Sequence, residues 1–304
     1  MKGFADMADL VDMKAGEITR SQSKKRTLRL GKRAQQLFTY TLAYSILIIA
    51  SLFVLLPLIW TFLTSLKDKV LVYQIPPAWF FEPKFENYTA LLVKYPFPKY
   101  FLNSAIVAIL TTFCAILFGA LAAYSISRFN TGGNFLKGFI LNSYTMPRVA
   151  VLIPIFMLMQ TFRLIDTFLA LIIAYLSFLL PFTIWMLIGY FDGVARDMEE
   201  AALVDGATQL QALRYVTLPL AAPGIAATGI LSFLISWNEF MFALILTGND
   251  TRTLPIAVAN FLTHRGVAMG ELSAATMVMI IPVMILAFSI RGYLVRGLSL
   301  GAVK

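Results

Sequence analysis

Histidine and cysteine are almost missing from this chain of 304 residues, which has one of each, His264 and Cys114. A single cysteine excludes an intramolecular disulfide, and a single histidine excludes a site built from several histidine ligands. Charge is scarce as well: Asp, Glu, Lys and Arg make up 13% of the residues, against about 25% in an average soluble domain. Hydrophobic residues reach 59% and mean hydropathy is +0.77. Together these values exclude an ordinary soluble enzyme, a disordered chain and a nucleic-acid module. The phosphate-binding pattern G-x-x-x-x-G-K-[ST] is also absent. Its nearest approach, 132-GGNFLKG-138, has Lys before Gly and no hydroxyl residue to meet Mg²⁺. The apolar segments hold no paired carboxylates, Ser-His-Asp set or metal cluster, so neither catalysis nor a bound metal or cofactor is expected.

What is present is a series of long runs without charge. Residues 34–66, 100–127, 167–191, 215–238 and 272–290 carry none, and 138–162 is interrupted only by Arg148. A helix needs ~20 mainly apolar residues to cross about 30 Å of hydrocarbon. Six spans are therefore expected, near 38–65, 100–127, 137–161, 167–191, 224–247 and 272–295. The fold class is all-α integral membrane, and an even number of spans puts both termini on one side.

The formal charge of +9 is concentrated at the start, where residues 1–34 hold nine Lys/Arg against four Asp/Glu. A basic tail (1–35) next to the first span points to anionic lipid and cytoplasmic retention. With the N-terminus inside, the cytoplasmic segments hold sixteen Lys/Arg and the outer loops eight. The tail decides that balance, and the reading is N-in, C-in. The first apolar run begins too late and extends too far for a cleaved signal peptide. The first outer loop, 66–99, carries prolines that favour turns, and a short surface helix is expected from Asn87.

The connection between the fourth and fifth spans, 192-DGVARDMEEAALVDGATQLQALRYVTLPLAAPG-224, is long and strongly patterned. Met198, Ala201, Ala202 and Val204 can share one helical face, with Asp197, Glu199, Glu200 and Asp205 largely on others. Asp205-Gly206 supplies a break, since glycine accepts positive φ at a helix end. A second amphipathic segment (Leu210, Leu213, Val216) is expected to end at Leu218-Pro219. Two short helices meeting at a glycine form a knob suited to a pocket on a soluble partner; the bland alternative is a loop lying on the bilayer.

The spacing Glu200-Ala201-Ala202, three residues, Gly206, nine residues, Val216-x-Leu218-Pro219 resembles the EAA signature of ABC importer permeases. Three further stretches resemble the carbohydrate branch: 100-YFLNSAIVAI-109, 143-SYTMPRVAVLIPIFMLMQTFRLIDT-167 and 236-SWNEFMFALILTGNDTRTLPIAVANF-261, the last being similar to the G-type maltose permease subunits. The resemblance covers roughly residues 36–300. It implies a six-helix type I permease domain over 36–304, in a bacterial or archaeal cell membrane, with 192–224 as the cytoplasmic coupling loop. It also implies a homologous permease partner, two ATP-binding-cassette ATPase subunits that carry ATP and Mg²⁺, and an extracytoplasmic solute-binding protein that delivers a sugar. On this reading Glu200 and Asp205 make polar contacts to the ATPase, Ala201 and Ala202 permit close approach, Gly206 allows the turn, and Leu218-Pro219 closes the motif.

Polar residues at membrane depth each require a reason, since inserting an ionised side chain costs on the order of 2.5–3.5 kcal/mol. Trp237, Asn238 and Glu239 offer an aromatic face, a donor and acceptors, which suits a neutral sugar; the same trio also reads as a structural pair that fixes helix packing. Asn103 and Tyr144 are further candidates for the solute path. Arg148 after Pro147 reads as a gating or structural element at a proline-broken helix, or as an arginine that snorkels. Two alternatives remain open: an EAA-type permease for a non-sugar solute, and a secondary transporter working alone.

Overall fold

The computed structural model describes residues 35–263 and 266–301, with the backbone path alone at 263, 266 and 290–301. The basic tail (save its last residue) and His264 lie outside the described residues. The chain divides into two units, Met1–Trp60 and Thr61–Lys304. Helix α1, Gln35–Ser65, supplies the described part of the first unit, and its last turn belongs to the second. It is apolar all round and exposes Leu37, Phe38, Phe53 and Leu56, the pattern of a helix made for hydrocarbon.

The second unit is built around α3 (Phe97–Phe129), α6 (Phe168–Asp192) and α10 (Ala222–Trp237). Small residues carry the helix contacts: Ala108, Ala115 and Ala123 on α3 and Ala170 and Ala174 on α6 are fully buried. Lipid tails are as apolar as leucine, so membrane helices associate by close packing and interhelical hydrogen bonds rather than by burying apolar surface. Gly119 marks the closest approach, since a Cβ there would lie 2.7 Å from Thr183 Cγ2. A buried hydrogen bond between the hydroxyls of Thr183 and Ser232 (3.2 Å) joins α6 to α10.

Three of the expected spans match α1, α3 and α6 to within three residues at each end, and the sixth corresponds to α13, Met269–Gly301. The other two are not continuous. Expected span 137–161 is split into α4 (Gly133–Thr145) and α5 (Arg148–Thr161), bent by 90°. Pro147 is the cause: it lacks an N–H and forces extended backbone on the residue before it, and Met146 has ψ 130°. Expected span 224–247 ends at Trp237, and a separate α11 (Met241–Leu246) follows after a break at residues 238–240. Among the described residues, four helices are long and apolar enough to cross a membrane unaided, or up to six if two bent pairs, Gly133–Thr145 with Arg148–Thr161 and Gln209–Leu220 with Ala222–Trp237 (77°), each count as one span.

The short helix expected from Asn87 is α2, Glu86–Val93. The Asn87 amide donates to the carbonyls of Ser65 (2.9 Å) and Lys67 (2.8 Å), tying the loop to the end of α1. The connection 248–271 carries two features that composition did not suggest: a helix, Leu254–Ala259, and a two-residue hairpin pairing Leu262–Thr263 with Gly266–Val267.

Candidate functional site

The hairpin after α6 begins with α7, Arg196–Val204, whose first turn carries Asp197 and Glu199, as a helix N-terminus favours. Gly206 ends it at φ +91°. Its N–H donates to Leu203 O (3.0 Å), and Ala207 N–H reaches back to Ala202 O (3.0 Å), a Schellman closure that strongly favours glycine. Helix α8, Gln209–Ala212, starts with a reciprocal capping box: the Thr208 hydroxyl accepts from Gln211 N–H while the Gln211 side chain accepts from Thr208 N–H. The second segment does not end at Leu218-Pro219. A π turn over Leu213–Thr217 widens the backbone ladder, and Pro219 then sits in the first turn of α9, Leu218–Leu220, where a missing N–H leaves no bond unmade.

Helix α7 turns one acid inward while leaving apolar side chains exposed. Met198, Ala201 and Val204 are exposed, Val204 at 88%, together with Glu200 and Asp205, whereas Glu199 is buried at 6%. Glu199 meets the end of α3. Arg128 Nη2 and Nε lie 2.6 and 2.7 Å from Oε1, Thr217 donates to the same oxygen (2.7 Å), and the Tyr124 hydroxyl donates to Oε2 (3.3 Å). Burial raises the Glu199 pKa, but the Arg128 guanidinium and the Thr217 hydroxyl outweigh it and hold the carboxyl below its ordinary value. Arg128 also donates to Val194 O (3.0 Å), Arg196 donates to Ser127 O (3.1 Å), and the Ser127 hydroxyl bonds Asp192. Sequence reasoning missed Glu199, Arg128, Tyr124 and Thr217. The available signal was the Glu199-Glu200 pair itself, because neighbours ~100° apart on a helix cannot both face the same way.

The solute-path candidates fall apart geometrically. Trp237 does not present an open face: it is 1% exposed, lies between Phe101 and Phe233, and donates Nε1–H to Met279 O (3.2 Å). Glu239 is buried and caps α11, accepting the N–H groups of Phe242 (3.1 Å) and Ala243 (3.2 Å), which is why the expected fifth span breaks there. Of the trio only Asn238 is exposed, its amide turned back onto Leu234 O (2.8 Å). Asn103 is buried and donates to the carbonyls of Asp250 (2.9 Å) and Arg252 (3.0 Å), holding a loop rather than facing a cavity. Tyr144 is exposed, its ring 5.5 Å from Phe182. Arg148 sits over the Phe178 ring (4.1 Å) in a groove of about 320 Å³ lined by Ser143, Met146, Val151 and Ser177 among others; none of the five solute-path candidates lines it.

A second polar cluster holds the loop after α11. Asp166, at φ +60°, accepts from Gly248 N–H (2.8 Å), Asp250 N–H (3.2 Å), Thr251 N–H (2.9 Å) and the Thr251 hydroxyl (2.7 Å). Burial opposes ionisation, yet these donors lower its pKa to about 2. Among the described residues, no three His, Cys, Asp or Glu side chains come together as a metal site.

Residues 115–300 match the sequence profile of the family "Binding-protein-dependent transport system inner membrane component". The chain is 36% identical over 266 residues to a sulfoquinovosyl glycerol transport system permease protein of Agrobacterium fabrum, covering 86% of this chain and 92% of that one. It is 33% identical over 262 residues to a trehalose/maltose transport system permease protein of Thermococcus litoralis, covering 84% and 94%. In fold it is similar to a chain of a bacterial ABC transporter that imports the acidic polysaccharide alginate, with TM-score 0.70, 23% identity and coverage of 86% and 98%. With a mostly helical, multi-pass architecture, this chain belongs to the family of binding-protein-dependent transport system inner membrane components, the permeases of ABC importers.

Proposed function

We propose that this permease pairs with a homologous subunit to form the membrane path for a sugar or oligosaccharide, and that it takes its work from ATPase subunits docked on the 192–224 hairpin. The observation that carries the proposal is the outer face of α7: Glu199 is turned inward and latched, and the apolar side chains Met198 and Val204 are exposed beside Glu200 and Asp205. Exposed apolar side chains on a polar loop fit a protein cleft better than an anionic leaflet, which the neighbouring acids oppose.

On this reading both termini are cytoplasmic, the 66–99 and 248–271 loops face the solute-binding protein, and ATP with Mg²⁺ stays on the partner. Closure of the ATPase dimer moves the two hairpins together and turns the cavity outward; hydrolysis resets it. Asn238 is the member of the trio left open to solute, and Pro147 with Arg148 forms the bend beside the groove. The named substrates of the relatives, sulfoquinovosyl glycerol and trehalose or maltose, favour a glycoside.

The test is Glu200→Lys and Gly206→Arg in the assembled importer. Both are expected to abolish copurification of the ATPase subunits and uptake, while the membrane chain remains folded. Normal copurification and uptake would return the hairpin to a surface loop.

A further inference from the structure

We propose that α3 is a rigid link between the hairpin and the 248–254 loop, and that Arg128–Glu199 at one end and Asn103 at the other are its positioning residues. The proposal rests on the docking role of the hairpin and adds the route by which its movement crosses the membrane.

Both ends of α3 are fastened. At one end Tyr124, Ser127 and Arg128 hold Glu199, Asp192 and Arg196. At the other, Lys99 pairs with Asp250 (3.1 Å), Asn103 donates to the Asp250 and Arg252 carbonyls, and Ser104 accepts the Leu254 N–H (2.7 Å). Asp166 holds the same loop from the α6 side, so the loop has little freedom except to follow its supports. Asn103 and Arg128 are separated by roughly 37 Å along the helix axis.

The helix between them is suited to transmit motion. Proline lies within α1 (Pro57), α6 (Pro181) and α13 (Pro282), and the third and fifth spans are broken. Among the described long helices, α3 alone has no proline beyond its first turn. Kinks need proline, an inserted group or a π-bulge, so a ladder without them moves as one body. The Arg128–Glu199 pair suits this use, because a buried ion pair contributes little net stability but specifies one arrangement closely. Movement of the hairpin therefore reaches the loop, and by linkage a ligand on the loop shifts the hairpin equally.

The experiment uses the complete importer in proteoliposomes, with Cys114→Ser and a spin label on Asn249→Cys in the exposed part of the loop. The probe is the non-hydrolysable analogue adenosine 5′-(β,γ-imido)triphosphate with Mg²⁺. We expect the analogue to change the label's spectrum, and the change to fall at least about tenfold in Glu199→Gln and in Leu117→Gly/Leu121→Gly, whose side chains are exposed. The charge swap Arg128→Glu/Glu199→Arg is expected to recover it, which a merely structural role would not require. Copurified ATPase subunits serve as the control throughout. If they are bound and the change is the same in every variant, or absent in the parent, the link is overturned while docking stands. If the parent binds no ATPase subunit, the docking reading itself fails and the link with it.

Discussion

Glu239 and Asn238 are adjacent and chemically similar in reach, yet their surroundings assign them opposite consequences. Replacing Glu239 with Ala strips the acceptor from two buried N–H groups, and each unpaired group costs about 1–3 kcal/mol. Glu239→Ala is expected to lower the melting temperature in detergent clearly. Asn238→Ala, at an exposed site, should stay within about 0.5 kcal/mol of the parent and alter solute uptake instead. Equal melting temperatures for the two variants would contradict the capping role. Asp166 gives a pH test. Its folded pKa of about 2 lies below the ordinary 3.8, so its contribution is complete above that value and is lost as pH falls from about 4 toward 2. Melting curves over that range should fall for the parent and be flatter for Asp166→Asn, which starts lower.

At the scale of elements, the hairpin was the most legible part of the chain. Gly206 had to supply a left-handed backbone wherever an amphipathic helix stopped at Asp205, and it does so at φ +91°. A non-glycine residue there costs about 1–3 kcal/mol of strain, so Gly206→Ala should destabilise the hairpin and weaken copurification of the ATPase without removing any contact surface. Thr208→Ala removes half of the capping box and should cost about 1 kcal/mol. Hydrogen exchange over 196–212 can measure both, with faster exchange expected in each variant. The broken spans were less legible. Pro147 announced an interruption, but a proline does not state an angle; the 90° bend depends on what α4 and α5 pack against. The break at 238–240 had no glycine or proline to signal it, because the carboxylate of Glu239, within the break itself, supplies the acceptors that the first N–H groups of α11 lack.

For the whole molecule, topology rests on the distribution of Lys and Arg, sixteen against eight when the N-terminus is inside. A membrane-impermeant maleimide on intact cells should label Asn249→Cys and spare Val204→Cys, both in a Cys114→Ser background. The reverse pattern would invert the orientation and put the hairpin beyond reach of a cytoplasmic ATPase.

The lengths of α1, α3 and α6, the absence of a nucleotide loop and the spacing of the hairpin motif were all determined by the sequence alone, because hydrocarbon thickness and backbone conformation act within one segment. Only the tertiary structure decided that Glu199 turns inward and Glu200 outward, that Trp237 is packed rather than open, and that Asn103 holds a loop. Each of those choices is made by a partner far along the chain: Arg128 for Glu199, Met279 for Trp237, Asp250 and Arg252 for Asn103. Local pattern cannot distinguish neighbours on a helix whose partners are brought within hydrogen-bonding distance only by the packing of other helices.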